Sequence, residues 1–243
     1  MKIFKHFLAV VAGISVIFIA LMSAFEIGIY ADYEFYRKEY RKYEVLSDLD
    51  MEMSDVMYVT EEMMEYLRGN REELSVITTV DGVEQDFFNE QDRFHMEEVK
   101  NLFLGGVVLR RWAFGIFVAS VLLIVLIRRT KNPRFGESVP GFLCRGYQIA
   151  LGVFATAIIA LGIWVAIDFS AVFVTFHEIF FDNDLWLFDP AEDYMINMLP
   201  EGLFFDFVVR IGTIFILLLC ILLGATLITE VILRYRGKKQ VKN

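Results

Sequence analysis

The sequence predicts an all-α, polytopic membrane protein with four transmembrane helices and two outward-facing loops, a single integral membrane domain over residues 1–243. Three observations carry this reading. Four apolar stretches each approach the roughly 20 residues a helix needs to cross a hydrocarbon core. The chain is 56% hydrophobic with a mean hydropathy of +0.50 and 24 Phe, against about 45–50% apolar for a soluble domain. Lysine and arginine are unevenly shared between the segments joining the stretches.

The first span, about residues 7–29, follows Lys2 and Lys5 and is broken only by Glu26. It is too long for the h-region of a signal peptide, and Leu21-Met22-Ser23-Ala24-Phe25-Glu26 is a poor cleavage site, so it reads as an uncleaved anchor. The first outer loop, about 30–104, opens on Tyr33, Tyr36, Tyr40 and Tyr43. Their helical spacing predicts a helix that packs through its tyrosines. A second helix is expected over Ser54–Leu67, capped by Ser54 and stopped at Gly69-Asn70. Val76–Val80 and Val83–Phe88 flank Asp81-Gly82 as a small hairpin would. Asn89 or Asp92 is the expected cap of a third helix carrying His95. No part of the loops reads as a soluble domain with its own core.

The second span, about 105–127, has a short apolar heart, Trp112–Ile127, extended outward through Leu102–Leu109 with Arg110 and Arg111 snorkelling to the interface. In the third, about 146–167, Gly146/Ala150, Thr156/Ala160 and Gly162/Ala166 repeat small residues at four-residue spacing, which predicts close helix packing. The fourth, about 207–231, places Ile211–Thr229 between Arg210 and Glu230.

With the N-terminus inside, the cytoplasmic side holds Lys2, Lys5, Arg128, Arg129, Lys131, Arg134 and Arg145, and the tail residues Arg234, Arg236, Lys238, Lys239 and Lys242. The second outer loop, about 168–206, has nine acids and no Lys or Arg. Both termini are therefore expected in the cytoplasm. A net charge of -9 argues against nucleic acid as a partner. Cys144 and Cys220 show no CxxC or Cys/His spacing, so neither a disulfide framework nor a zinc site is expected from them.

Of three histidines, His6 looks incidental, while His95 and His177 both fall in the outer loops near a membrane boundary. Two imidazoles at one interface suit a base and an acid in acyl transfer; each could equally satisfy a loop hydrogen bond. His177-Glu178 starts like the zinc motif HExxH, but Phe181 stands where the second histidine belongs. A metal held by both histidines with Glu97 or Asp182 is the alternative. There is no GxSxG, and Ser170 and Thr175 lack a nucleophile elbow, so direct attack by a substrate group is the simpler scheme. The second outer loop is rich in Phe176, Phe180, Phe181, Leu185, Trp186, Leu187, Phe188 and Phe204. It is expected to lie on the outer leaflet as a lid shaped by turns at Asp189-Pro190 and Pro200-Glu201-Gly202. A lipid-linked substrate fits that setting, and so does a structural plug between helices. Arg110, Arg111, Arg210, Glu26, Trp186 and Asp189 are expected to bind substrate or hold an oxyanion, with Glu26 and Arg210 as a plausible pair.

Phe176-His177-Glu178-Ile179-Phe180-Phe181, Trp186-Leu187-Phe188-Asp189-Pro190 and Pro200-Glu201-Gly202-Leu203-Phe204-Phe205 together resemble the lipoprotein intramolecular transacylase family. So does Asn89-Glu90 followed by His95-Met96-Glu97-Glu98-Val99-Lys100, where the family more typically reads HMxDVK and Glu98 stands for the Asp. The resemblance implies a multi-pass protein of Gram-positive bacterial cell membranes with its active site on the extracellular side. It implies a diacylglyceryl lipoprotein as substrate and transfer of the sn-2 acyl chain to the N-terminal cysteine amine, giving a lyso-form lipoprotein. The family's two histidines correspond to His95 and His177. One would deprotonate the ammonium and the other protonate the departing glyceryl oxygen, in either assignment. No metal or other cofactor is expected, because the ester already stores the energy. The rival functions are a zinc-dependent hydrolase at the outer face and a non-enzymatic lipid- or lipoprotein-binding membrane protein.

Overall fold

The computed structural model describes residues 2–80, 82–127 and 138–240. Arg128, Arg129, Lys131, Arg134 and Lys242 of the expected cytoplasmic charge, and Asp81 of the expected turn, lie outside the described residues. Four helices are long and apolar enough to cross a membrane. They are α1 (Lys2–Tyr30), α5 (Glu90–Leu126), α6 (Val139–Ile167) and α9 (Glu201–Gln240). Between them come α2 (Glu34–Lys42), α3 (Val45–Asp48), α4 (Met53–Leu67), β1 (Ile77–Val80), β2 (Val83–Asp86), α7 (Phe169–Phe180) and α8 (Tyr194–Met198). The chain forms two compact units.

The first unit gathers the described residues of Met1–Phe25, Val108–Ile163 and Gly212–Asn243. Here α1 and α6 meet backbone to backbone. A Cβ at Gly146 would collide with the carbonyl of Ala9, and one at Gly13 would stand 2.7 Å from the carbonyl oxygen of Gly146. Small residues allow this approach where lipid supplies no hydrophobic drive between helices. Ala150 is buried with Gly146, but Thr156, Ala160, Gly162 and Ala166 are exposed. Two of the three expected small-residue pairs therefore face away from protein. Tyr147 fastens α6 to α9, its hydroxyl donating to the carbonyl of Leu219 at 2.8 Å.

The second unit comprises Glu26–Val107 and Trp164–Ile211. The tyrosine stripe of α2 is its anchor, with Tyr36 and Tyr40 fully buried. The Tyr36 hydroxyl donates to the carbonyl of Ile29 at 3.0 Å, and the Tyr40 hydroxyl pairs with that of Thr60 at 2.7 Å. Tyr43 donates to Asp206, which also pairs with Lys42, and Gly202 leaves room for the Tyr43 ring. In the same unit Val45, Leu49, Val56, Met63, Val76, Val80, Phe87, Phe88, Met198 and Leu203 are all buried. These buried residues come from short elements of the loops and from the start of α9, within a unit that also takes in the ends of other spans.

Details of the predicted elements shift for local reasons. Helix α4 starts one residue early at Met53, from an extended Glu52 with no side-chain cap, so Ser54 is not the cap. The hairpin holds, with Val80 opposite Val83 and Gly82 in the left-handed region that the tight turn requires. The expected loop helix carrying His95 and the second span are one continuous helix, α5. No proline interrupts it, and hydropathy marks only its lipid-facing part. Likewise α9 begins at Glu201, with Pro200 just ahead of it and accepting from Leu203 N at 2.9 Å. Pro200 heads a helix rather than shaping a loop turn, a place where its missing N–H costs nothing.

Candidate functional site

His95 and His177 both belong to the second unit. His95 sits in the second turn of α5, whose start is closed by a reciprocal cap. Asp92 N donates to Asn89 Oδ1 at 2.9 Å, and Asn89 N donates to Asp92 Oδ2 at 3.0 Å. Both candidate caps are thus used, as in a capping box. Helix α7 is capped by Asp168, whose side chain accepts from Ala171 N, and His177 lies in its last turn.

The two imidazoles come together, their centroids 5.9 Å apart and their planes 25° from parallel. Both residues are buried. Phe181 packs on both, at 4.8 Å from His95 and 5.4 Å from His177. Trp186 stacks on His177 at 4.8 Å, Phe173 lies 4.3 Å from it, and Phe188 lies 5.4 Å from His95. The result is a pair of imidazoles walled by aromatic rings.

His177 Nδ1 lies 2.7 Å from the carbonyl oxygen of Phe173, one turn earlier. A carbonyl only accepts, so Nδ1 carries the hydrogen and Nε2 keeps its lone pair. Burial holds the His177 imidazole below its ordinary value of 6.5, partly offset by the bond to Phe173. A neutral ring with an open Nε2 is a base ready to accept a proton.

The segment after α7 is sewn to α5 by polar contacts. Asn183 Nδ2 donates to Glu98 Oε1 at 2.9 Å, and Gln91 Nε2 donates to the carbonyls of Leu185 and Leu187 at 3.0 and 3.2 Å. Asn89 Nδ2 donates to Asp193 Oδ1 at 2.5 Å, and Asp193 Oδ2 accepts from Asp189 N at 2.8 Å. These ties hold Trp186 and Phe188 against the imidazoles. Asn89, Glu98, Asn183 and Asp193 were not singled out as site residues from the sequence; they pair across gaps of 85 and 104 positions. Asn89→Ala removes the cap of α5 and its donor to buried Asp193 together. It is expected to cost about 1–3 kcal/mol, read as a lowered unfolding midpoint in detergent.

Among the other expected site residues, Trp186 does join the histidines. Asp189 is exposed and shapes its own turn, accepting from Ala191 N at 2.9 Å through Oδ1. Arg210 pairs with Asp32 at 3.4 Å and lies 4.4 Å over the Phe35 ring. Glu26 is half-buried one turn before the end of α1. Arg110 and Arg111 belong to the first unit. Among the described residues, no three His, Cys, Asp or Glu side chains converge as a metal site.

The family model described as Lipoprotein intramolecular transacylase Lit matches residues 10–205. None of the curated proteins matches. The chain is similar to the solved structure of the membrane integral lipoprotein intramolecular transacylase Lit from Bacillus cereus, at 21% identity and a TM-score of 0.70 over 100% of both chains. A histidine-to-alanine variant of that protein gives 0.66 at 21% identity, over 99% of this chain and 96% of the other. A histidine-to-arginine variant gives 0.64 at the same identity, over 99% and 95%. At this identity the solved structures speak for the fold, and the family model for the lineage. The chain belongs to the lipoprotein intramolecular transacylase family.

Proposed function

We propose that this membrane acyltransferase moves the sn-2 acyl chain of a diacylglyceryl lipoprotein to the α-amine of its N-terminal cysteine, with His177 as base and His95 as acid. The family acts on lipoproteins by intramolecular acyl transfer, so donor ester and acceptor amine arrive on one molecule. Holding them together supplies much of the rate. The observation that carries the residue roles is the buried imidazole pair with His177 Nε2 left open.

His177 Nε2 takes a proton from the bound ammonium, and the lone pair this frees lets the nitrogen bond to the ester carbon. The tetrahedral intermediate then collapses, the carbon–oxygen bond breaks, and His95 delivers a proton to the glyceryl oxygen. At their spacing two imidazoles favour holding one proton between them. The ammonium loses two protons overall, one to the glyceryl oxygen and one to water. The aromatic walls keep water from the ester, which favours transfer over hydrolysis.

We place this chemistry at the outer leaflet. Supporting this are the absence of Lys and Arg from residues 168–206 and the exposed apolar side chains Phe176, Ile179 and Phe180 on α7, which suit contact with acyl chains.

The test is tandem mass spectrometry of the N-terminal lipopeptide from a diacyl-forming bacterium, with and without this protein. Intact mass is conserved, so fragments must show an acyl chain on the cysteine nitrogen. A free amine in the presence of well-expressed protein overturns the reading. The pH profile adds a second check. The base form of His177 is lost as pH falls through its lowered pKa, so kcat/KM should hold down to below 6.5 before declining. The alkaline limb belongs to the substrate ammonium, near pH 8. An acid limb at or above 6.5 argues against His177 as base.

A further inference from the structure

Four buried side-chain atoms have no hydrogen-bond partner among the described residues, and three of them lie on the first turns of α5: Asp92 Oδ1, His95 Nδ1 and Glu98 Oε2. Spaced three residues apart, they share one side of the helix. Glu98 is the instructive one. Its Oε1 accepts from Asn183, while its buried Oε2 accepts nothing. Asn183 lies between Phe181, which touches both imidazoles, and Trp186, which stacks on His177. The carboxylate is thus held one turn from His95 by the segment that walls the histidine pair. A buried carboxylate oxygen without a donor is costly, and a cationic N–H donor is what relieves it.

We propose that Glu98 Oε2 is the amine subsite, receiving an N–H of the substrate's α-ammonium. This rests on the transacylase reading of the histidine pair. A primary ammonium has three donors, enough for Glu98 and His177 Nε2 together. The same oxygen faces the positive charge the nitrogen carries as it bonds to the acyl carbon. After transfer the nitrogen is an uncharged amide, so the subsite favours substrate over product and helps release.

The experiment uses the full-length protein in detergent and an unreactive probe, a lipopeptide whose glyceryl chains are ether-linked. The probe is made with its amine free and with its amine acetylated. At pH 7 the protein is expected to prefer the free amine by about tenfold or more, as a charge-assisted contact would give. Glu98→Gln keeps an acceptor for Asn183 but removes the anionic oxygen, and is expected to lose the preference. Equal binding of both probes by the unaltered protein, or an undiminished preference in Glu98→Gln, overturns the proposal. Should that variant not fold, the unaltered protein still decides. Its affinity for the free amine should fall as pH rises through about 8, where the amine loses its charge. The acetylated probe controls for titration of Asp92, His95, His177, Asp182 and Asp184 around the site. A pH-independent preference also overturns it. N-acylation of an ester-linked lipopeptide by the same preparation separates the two ideas. Transfer without amine preference removes only the subsite, and no transfer removes the reading beneath it.

Discussion

His177→Ala is expected to reduce N-acyl transfer by about 10²–10⁴-fold, the range that positioned acid–base groups contribute. The loss should appear in kcat, because His177 removes the proton from substrate that is already bound. The imidazole also fills space between Phe173 and Trp186, so truncation can loosen the fold. His177→Gln separates the two effects: its side-chain amide retains polar bulk but cannot act as a base near neutral pH. Both variants should be scored by fragmenting the lipopeptide, with the unfolding midpoint measured alongside. Transfer within about tenfold of the unaltered rate in a folded His177→Gln protein would sink the assignment, since that is less than general catalysis supplies.

Gly146→Val is expected to be the most damaging single change to the first unit. The new side chain would meet the Ala9 carbonyl, a backbone atom that cannot move without carrying α1 with it. Overpacking costs typically about 1–3 kcal/mol where side chains can give way, and more where they cannot. The expected result is loss of a single monodisperse species in detergent, or a strongly lowered unfolding midpoint. Gly162→Val on the same helix is the control, because a Cβ there meets nothing within 4 Å. A similar loss in both variants would point to helix propensity rather than contact, and would overturn the packing argument.

The contrast between these two glycines shows how far the sequence could be read. Small residues at four-residue spacing mark three places where α6 could meet another helix, and they look alike in one dimension. Only Gly146/Ala150 packs, because which side of a helix meets a neighbour depends on partners the spacing does not name. The four spans were legible because hydropathy reports the solvent directly, and the tyrosine stripe because its helical period is sustained. That His95 and His177 meet agrees with their placement near one boundary in the sequence. Their walls were only partly legible. Phe181 and Trp186 belong to an evident aromatic run, but the pairings of Asn183 with Glu98 and of Asn89 with Asp193 join residues far apart in the chain. Nothing local distinguishes those side chains from solvated ones. Arg210 makes the same point, since its partner Asp32 lies 178 positions away in the chain.

The bond from His177 Nδ1 to the Phe173 carbonyl has a further consequence for traffic through the site. An imidazole in water can take a proton at one nitrogen and release it from the other. Here one of the two doors is bolted by the helix itself. Every proton that enters His177 must leave by Nε2, toward the same neighbours from which it came. The ring therefore cannot act as a wire leading protons off through α7, and it needs no tautomer change to begin the next cycle. Of the two protons the ammonium loses, only the one that ends in water has to leave the aromatic enclosure.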